Sequence, residues 1–266
     1  MTPGDWLLPG ECLHDLQRGG LFIIQPERGF RFSTDSVLLA DFCRAKKGER
    51  AADMGTGSGV IPLLLAARQE GLSIDAFELS EAAADRARRS AAMNGLSDAI
   101  CVYHADVRDA AKIIGYGSVS LVVTNPPYLQ SGEGLVSPEP ERALARGGSG
   151  CGIGEWTTAC AAILKNGGRF AAVFPATGFL KLADAMRASG IEPKRARFVA
   201  ARPEKTPKLV LLEGMKGGGQ GLLFLPVLYT HEEDGSYSRE MLRIYGEESV
   251  WNTGKNQERK GKEKGE

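Results

Sequence analysis

The residues with the most chemical content form two short blocks, Asp53-Met54-Gly55-Thr56-Gly57-Ser58-Gly59 and Asn125-Pro126-Pro127-Tyr128. In the first block glycines alternate with small residues directly after an apolar run, Arg50–Met54, and directly before a helix-period run, Val60–Glu70. Glycine lets a chain turn sharply and approach a ligand closely, and a helix N-terminus offers unpaired N–H groups. Pro62 falls in the first helical turn, where its missing donor costs least. The spacing is G-x-G-x-G rather than the G-x-G-x-x-G that seats a dinucleotide pyrophosphate. Asp53 would repel a phosphate and suits a cationic or hydroxyl partner. Glu78-Leu79 closes the next apolar run, where α/β nucleotide sites place a carboxylate for ribose hydroxyls. Asp106-Val107 follows the third run, placed to meet an adenine amino group. An adenosine without phosphate and with a positively charged tail describes S-adenosylmethionine. Three acids at three successive strand ends argue against a plain glycine turn with surface carboxylates.

The second block describes a reaction. Two prolines fix the backbone and withdraw two N–H donors, which leaves acceptors. The Asn125 side-chain oxygen and the Pro126 carbonyl can then hold one exocyclic NH2 group with its lone pair aimed at a sulfonium methyl. The same bonds stabilise the positive charge that develops on nitrogen. Pro127 stiffens the turn, and Tyr128 offers a face on which a flat base or amide stacks. No strong general base is needed, because the nitrogen loses its proton after the methyl arrives. The expected chemistry is N-methylation.

These residues must be positioned by alternating strands and helices. Arg50–Met54, Ser73–Leu79, Ile100–His104, Ser118–Thr124 and Arg169–Phe174 read as strands. Val60–Glu70, Glu81–Met93 behind an N-cap at Ser80, Ile153–Leu164 and Leu180–Ser189 read as helices, with a short helix between the third and fourth strands. Asn166-Gly167-Gly168 is expected to close the third of these helices. Repeated strand–helix units mean crossovers and a mostly parallel sheet covered on both faces. Past residue 190, Arg197–Ala200, Leu209–Glu213 and Leu222–Tyr229 read as strands without intervening helices, which suggests an antiparallel edge at the C-terminal side. Ahead of the glycine loop, Leu21–Gln25 and Gly29–Phe32 look β-like and Ser36–Arg44 helical. The expected organisation is a hairpin and helix extension over 1–45, a catalytic domain over 46–246 and a charged, disordered tail over 247–266.

The 266-residue chain balances 33 Lys+Arg against 33 Asp+Glu, so bulk charge does not coat nucleic acid and any such binding needs a local patch. One run offers it: Lys194, Arg195, Arg197, Arg202, Lys205 and Lys208 against a single acid, Glu204. It is either a solvated face or an RNA phosphate contact, for which Arg202, Lys205 and Lys208, with Arg142 and Arg146 in an entrance loop, are the candidates. The longest apolar stretch, Val60 to Ala67, is far below a bilayer span, and the N-terminus carries no secretory pattern. Five cysteines without a C-x-x-C pair and three scattered histidines give no metal-ligand pattern. A cytoplasmic protein without metal or membrane is expected. Thr34 and Asp35 either line the methionine end of the cofactor or cap the following helix together with Ser33. His104 reads as a strand-end residue packed against Asp106.

The loop and the N-P-P-Y block resemble the seven-stranded, Rossmann-like methyltransferases that act on amino nitrogens. Two further segments are similar to the tRNA1(Val) adenine-N6 methyltransferase family: Gly29-Phe30-Arg31-Phe32-Ser33-Thr34-Asp35-Ser36-Val37-Leu38-Leu39-Ala40, and Arg202-Pro203-Glu204-Lys205-Thr206-Pro207-Lys208 running into Leu209–Gly214. With the two blocks the resemblance spans residues 10–246. It implies transfer of a methyl group to adenine N6 beside a tRNA anticodon. The same site chemistry admits guanine N2 or adenine N6 of ribosomal RNA, and the N5 of a release-factor glutamine. The glutamine enzymes usually carry a helical domain ahead of the loop, whereas about 45 residues of β pieces and one helix precede it here.

Overall fold

Periodicity and turn chemistry fix most elements of this chain, whose computed structural model describes residues 2–28, 33–127 and 151–246. In order they are β1 (Glu11–Asp15), β2 (Phe22–Pro26), α1 (Thr34–Phe42), β3 (Arg50–Met54), α2 (Val60–Arg68), β4 (Ser73–Glu78), α3 (Glu81–Met93), β5 (Ile100–His104), α4 (Ala110–Ile114) and β6 (Val119–Thr124). There follow α5 (Ile153–Ile163), β7 (Leu164–Pro175), α6 (Phe179–Ala188), β8 (Ile191–Ala200), β9 (Leu209–Lys216), β10 (Leu223–Phe224), β11 (Leu228–Tyr229) and α7 (Arg239–Tyr245). Ser80 caps α3 as expected, its side chain accepting from the Ala83 N–H.

The main sheet runs β10-β8-β9-β7-β6-β3-β4-β5, with β11 also paired to β8. Seven of these strands form its body, and β10 and β11 are two-residue additions. The antiparallel pairing expected past residue 190 is present, but its place is different. Only β9 runs against the rest, bonded to β7 on one side and β8 on the other. The outer strand β8 therefore points the same way as β3 to β7, and β10 and β11 are parallel to it.

Strand alternation sends side chains to two apolar layers. Ala51, Leu121, Val123, Ala171 and Val173 pack beneath α1, α2 and α7, whereas Ala52, Met54, Val122, Phe170 and Ala172 pack against α4, α5 and α6. Because the core strands are parallel, their C-terminal ends lie along one edge. That edge carries the candidate chemistry.

Some elements differ from the sequence expectation. The segment Glu11–Asp15, too polar to read as a strand, is β1, paired antiparallel with β2. It is held by Glu11, whose carboxylate accepts from both Arg89 guanidinium nitrogens at 2.7 Å on α3. Ser90 of α3 and Asn94 at its C-cap bond the β2 backbone, the former accepting from Ile24 N–H at 3.0 Å. The β-like piece Gly29–Phe32 lies outside the described residues. Helix α5 ends at Ile163, within one residue of the expected limit, where Lys216 Nζ donates to the Ala161 and Leu164 carbonyls, and Asn166-Gly167-Gly168 falls in the following strand rather than in a helix stop. Strand β7 accordingly starts at Leu164, and its register against β6 slips between Leu164 and Arg169.

Candidate active site

The glycine loop leaves β3 and is stitched to the neighbouring strand. Gly55 and Thr56 N–H both donate to the Phe77 carbonyl at 2.9 Å. Gly55, Gly57 and Gly59 have φ of +81°, +58° and +90°, so each needs a residue without a side-chain penalty there. Their surroundings separate their roles. A Cβ on Gly59 would stand 3.2 Å from Ala87 Cβ on α3, and one on Gly55 3.1 Å from the Trp156 ring on α5. A Cβ on Gly57 would enter open space. Two of the glycines thus serve packing, and the middle one leaves open space where a side chain would stand.

Glu78 reaches back to this loop. One carboxylate oxygen accepts from Gly57 N–H and the other from Ser80 N–H, both at 2.8 Å. These bonds fix its rotamer, and each oxygen keeps a second lone pair for a ribose hydroxyl. Leu79 follows, its carbonyl 3.1 Å from His104 Nε2. His104 closes β5, and its ring is tied to Leu79. Asp106 caps the turn at Val107 by accepting from Arg108 N–H, and it also takes two bonds from the Arg108 guanidinium at 3.0 and 2.7 Å. Arg108 holds the Asp106 carboxyl below the ordinary carboxylate range. No motif in the sequence marks that pairing. Ser58 is half-buried in the loop, and Val107 is buried.

Asp53 is fully buried, and neither of its oxygens meets a hydrogen-bond partner. Burial raises its pKa to about 7; the Thr56 hydroxyl offsets part of that rise without closing a bond of ordinary geometry, and the Glu78 charge adds to it. The Thr56 hydroxyl is likewise unpaired. An orphaned buried carboxylate beside a loop with an open glycine fits the cationic, hydroxyl-rich cofactor that the sequence implies.

Asn125 and Pro127 are half-buried and Pro126 is buried at the end of β6. The Asn125 amide nitrogen donates to Ser36 Oγ on α1 at 3.2 Å. Beneath it, Thr124 Oγ1 donates to the Met54 carbonyl at 2.7 Å and accepts from the Trp156 indole N–H at 2.9 Å. Trp156 therefore faces the glycine loop with its ring and bonds the residue just before the reaction block with its nitrogen. Neither Ser36 nor Trp156 carries a motif that would have marked it in the sequence. Thr34 opens α1, where Ser33 is the N-cap residue but makes no side-chain cap bond. Thr34 Oγ1 lies 3.4 Å from the Tyr245 hydroxyl, and Asp35 occupies the first helical turn. So α1 brings Thr34 and Asp35 to the edge where Asn125 sits. Tyr128, Arg142 and Arg146 lie outside the described residues.

The basic run divides in two. Lys194 bonds the Gly219 carbonyl, Arg195 pairs with Glu213, and Arg197 pairs with Glu240. Arg202, Lys205 and Lys208 have no ion-pair partner among the described residues. They occupy the connection from β8 to β9, at the same end of the sheet as Asn125. No helix of the described residues is long and apolar enough to cross a membrane, and none of their His, Cys, Asp and Glu residues form a metal-binding group.

Fold and loop together define a class I, S-adenosylmethionine-dependent methyltransferase. Residues 31–138 match the methyltransferase small domain family model. Among solved structures, a protein of Agrobacterium tumefaciens described as a predicted O-methyltransferase superposes with a TM-score of 0.66 at 23% identity, covering 80% of this chain and 96% of that one. TYW2 of P. horikoshii in complex with MeSAdo gives 0.56 at 15% identity, over 79% and 73%. The chain belongs to the tRNA1(Val) (adenine(37)-N6)-methyltransferase family. It is 33% identical to the member from Erwinia tasmaniensis over 76% of this chain and 82% of that protein. It is 30% identical to the member from Porphyromonas gingivalis strain W83, over 80% and 86%.

Proposed function

We propose that this enzyme transfers a methyl group to adenine N6 in tRNA, in the cytoplasm. When bound, S-adenosylmethionine supplies an electrophilic methyl group on a sulfonium. Gly55, Thr56, Gly57, Ser58 and Gly59 shape its bed, Glu78 and Leu79 meet the ribose, and Asp106 and Val107 meet the adenine edge. Asp53, Thr34 and Asp35 face the methionine end.

The observation that carries the reading is the Asn125–Ser36 bond. With the amide nitrogen donating to Ser36, the Asn125 side chain is tethered to α1, and its other polar atom is the carbonyl oxygen. That oxygen and the Pro126 carbonyl accept the two N–H bonds of an exocyclic amine, which fixes the plane of the amine. Orientation of this kind is a large part of what an enzyme can supply where no general base is needed. Tyr128 stacks on the base, and Pro127 keeps the turn rigid. Arg202, Lys205 and Lys208, with Arg142 and Arg146, contact RNA phosphates.

The test incubates the protein with methyl-labelled S-adenosylmethionine and, in parallel, unmodified tRNA, ribosomal RNA and a release factor, then digests each and identifies the labelled unit. N6-methyladenosine from tRNA is the expected product. Label in N2-methylguanosine or N5-methylglutamine overturns the substrate while leaving the cofactor and amine arguments standing.

A further inference from the structure

Beyond the reacting groups, the same edge carries a row of three rings. His231 and Tyr237 face each other across a β-bridge with ring centroids 5.2 Å apart. Tyr237 and Tyr245 follow at 5.5 Å, inclined by 31°. The Tyr245 hydroxyl meets Thr34, two residues along α1 from Ser36, which holds Asn125. The row thus begins beside the reaction block and leads away from it.

Its support is rigid. Asp234 accepts from Ser236 N–H and hydroxyl in the turn between the first two rings. Ser238, next to Tyr237, donates to the Tyr229 carbonyl at 2.6 Å and accepts from Met241 N–H to cap α7. Rings stacked only to hold a helix down would be covered, yet Tyr237 is 43% exposed. Strand β11 carries this turn past the end of β8, beside the connection that holds Arg202, Lys205 and Lys208. The Ser236 hydrogen bonds hold the Asp234 carboxyl below its ordinary range, and the Arg202 charge adds a smaller pull in the same direction.

An aromatic row with an exposed central ring, flanked by cations that have no ion-pair partner among the described residues, matches what single-stranded nucleic acid requires: rings for bases and positive charge for phosphates. We infer that the His231–Tyr237–Tyr245 row is a stacking platform for unpaired bases next to the target adenine. The inference rests on the RNA reading above and adds to it the binding mode of the flanking nucleotides. Phosphate contacts alone would not distinguish a loop from a duplex; a stacking platform does, because paired bases keep their faces inside the helix.

The test measures binding of a synthetic hairpin RNA with unpaired adenines in its loop and of a blunt RNA duplex of equal length. It uses the wild type, Tyr237→Ala, Tyr237→Leu and Tyr237→Phe, with cofactor affinity and thermal unfolding as controls. Loss of one stacked base weakens hairpin binding about tenfold in Tyr237→Ala and Tyr237→Leu. Tyr237→Phe binds as wild type, and duplex and cofactor affinities do not change. Leucine keeps apolar bulk without a π face, so a folded Tyr237→Leu protein separates stacking from mere packing. Wild-type hairpin affinity in Tyr237→Leu, on an RNA that the wild type binds and methylates, overturns the platform alone. A wild type that binds and methylates neither hairpin nor tRNA overturns the RNA reading and the platform with it.

Discussion

Replacing Asp53 with Asn tests the buried carboxylate at the cofactor end. In the folded chain Asp53 titrates at about 7, against an ordinary 3.8. Between those values the folded state holds a proton that the unfolded state has released. Stability therefore falls as pH rises, from the unfolded pKa until the folded pKa is passed. Each unit of difference is worth about 1.4 kcal/mol, so the wild type loses on the order of 2–3 kcal/mol between about pH 5 and about pH 8 through this group. Asn cannot ionise, and Asp53→Asn lacks that loss. Thermal unfolding across this range is the assay. Relative to wild type the variant gains about 5–10 °C in Tm between the acidic and alkaline ends. The proton must also leave before Asp53 can attract a cationic group, so cofactor affinity rises with pH through about 7 in the wild type and is flat in the variant. Parallel stability curves for the two proteins would refute the assignment of a raised pKa and the fit argument built on it.

Three further outcomes are expected. Ser36→Ala removes a hydrogen bond of about 0.5–1.5 kcal/mol that holds a reacting residue, so kcat drops about threefold to tenfold while cofactor affinity stays; an equal loss in cofactor affinity would show that Ser36 does not act through Asn125. Gly55→Ala forces a Cβ into φ +81° and against the Trp156 ring, whereas Gly57→Ala meets open space at φ +58°. Backbone strain of about 1–2 kcal/mol is common to both, so Gly55→Ala melts lower than Gly57→Ala by several degrees in a thermal scan. Charge reversal of Arg202 and Lys208 together weakens tRNA binding, makes it less salt-dependent and spares cofactor affinity; equal tRNA affinity in the double variant defeats the phosphate assignment.

Much of this arrangement was legible before the structure, and the legible parts share a cause. Strands β3 and β5 and helix α3 have the residue limits read from the sequence, because Ser80, Asn94-Gly95 and the apolar alternation act through near neighbours. The glycine spacing and the Asn-Pro-Pro turn are equally local, so cofactor class and reaction type could be argued from residue types alone. Polar strand β1 was not legible: Glu11-Cys12-Leu13-His14-Asp15 pairs with β2, and its Glu11 accepts from Arg89 of α3, far along the chain.

By itself the sequence marked candidate residues for a nucleoside and an amine, and the strand ends that carry them. Tertiary structure decided which groups support them. Ser36 meets Asn125 across 89 residues, Trp156 meets Thr124 across 32, and Tyr245 meets Thr34 across 211. It also divided a uniform basic run, since pairing β8 against β9 gave Arg195 to Glu213 while α7 brought Glu240 to Arg197. Local signals are written in adjacent residues, whereas these contacts depend on strand order and helix docking, which fix distances that no sequence spacing records.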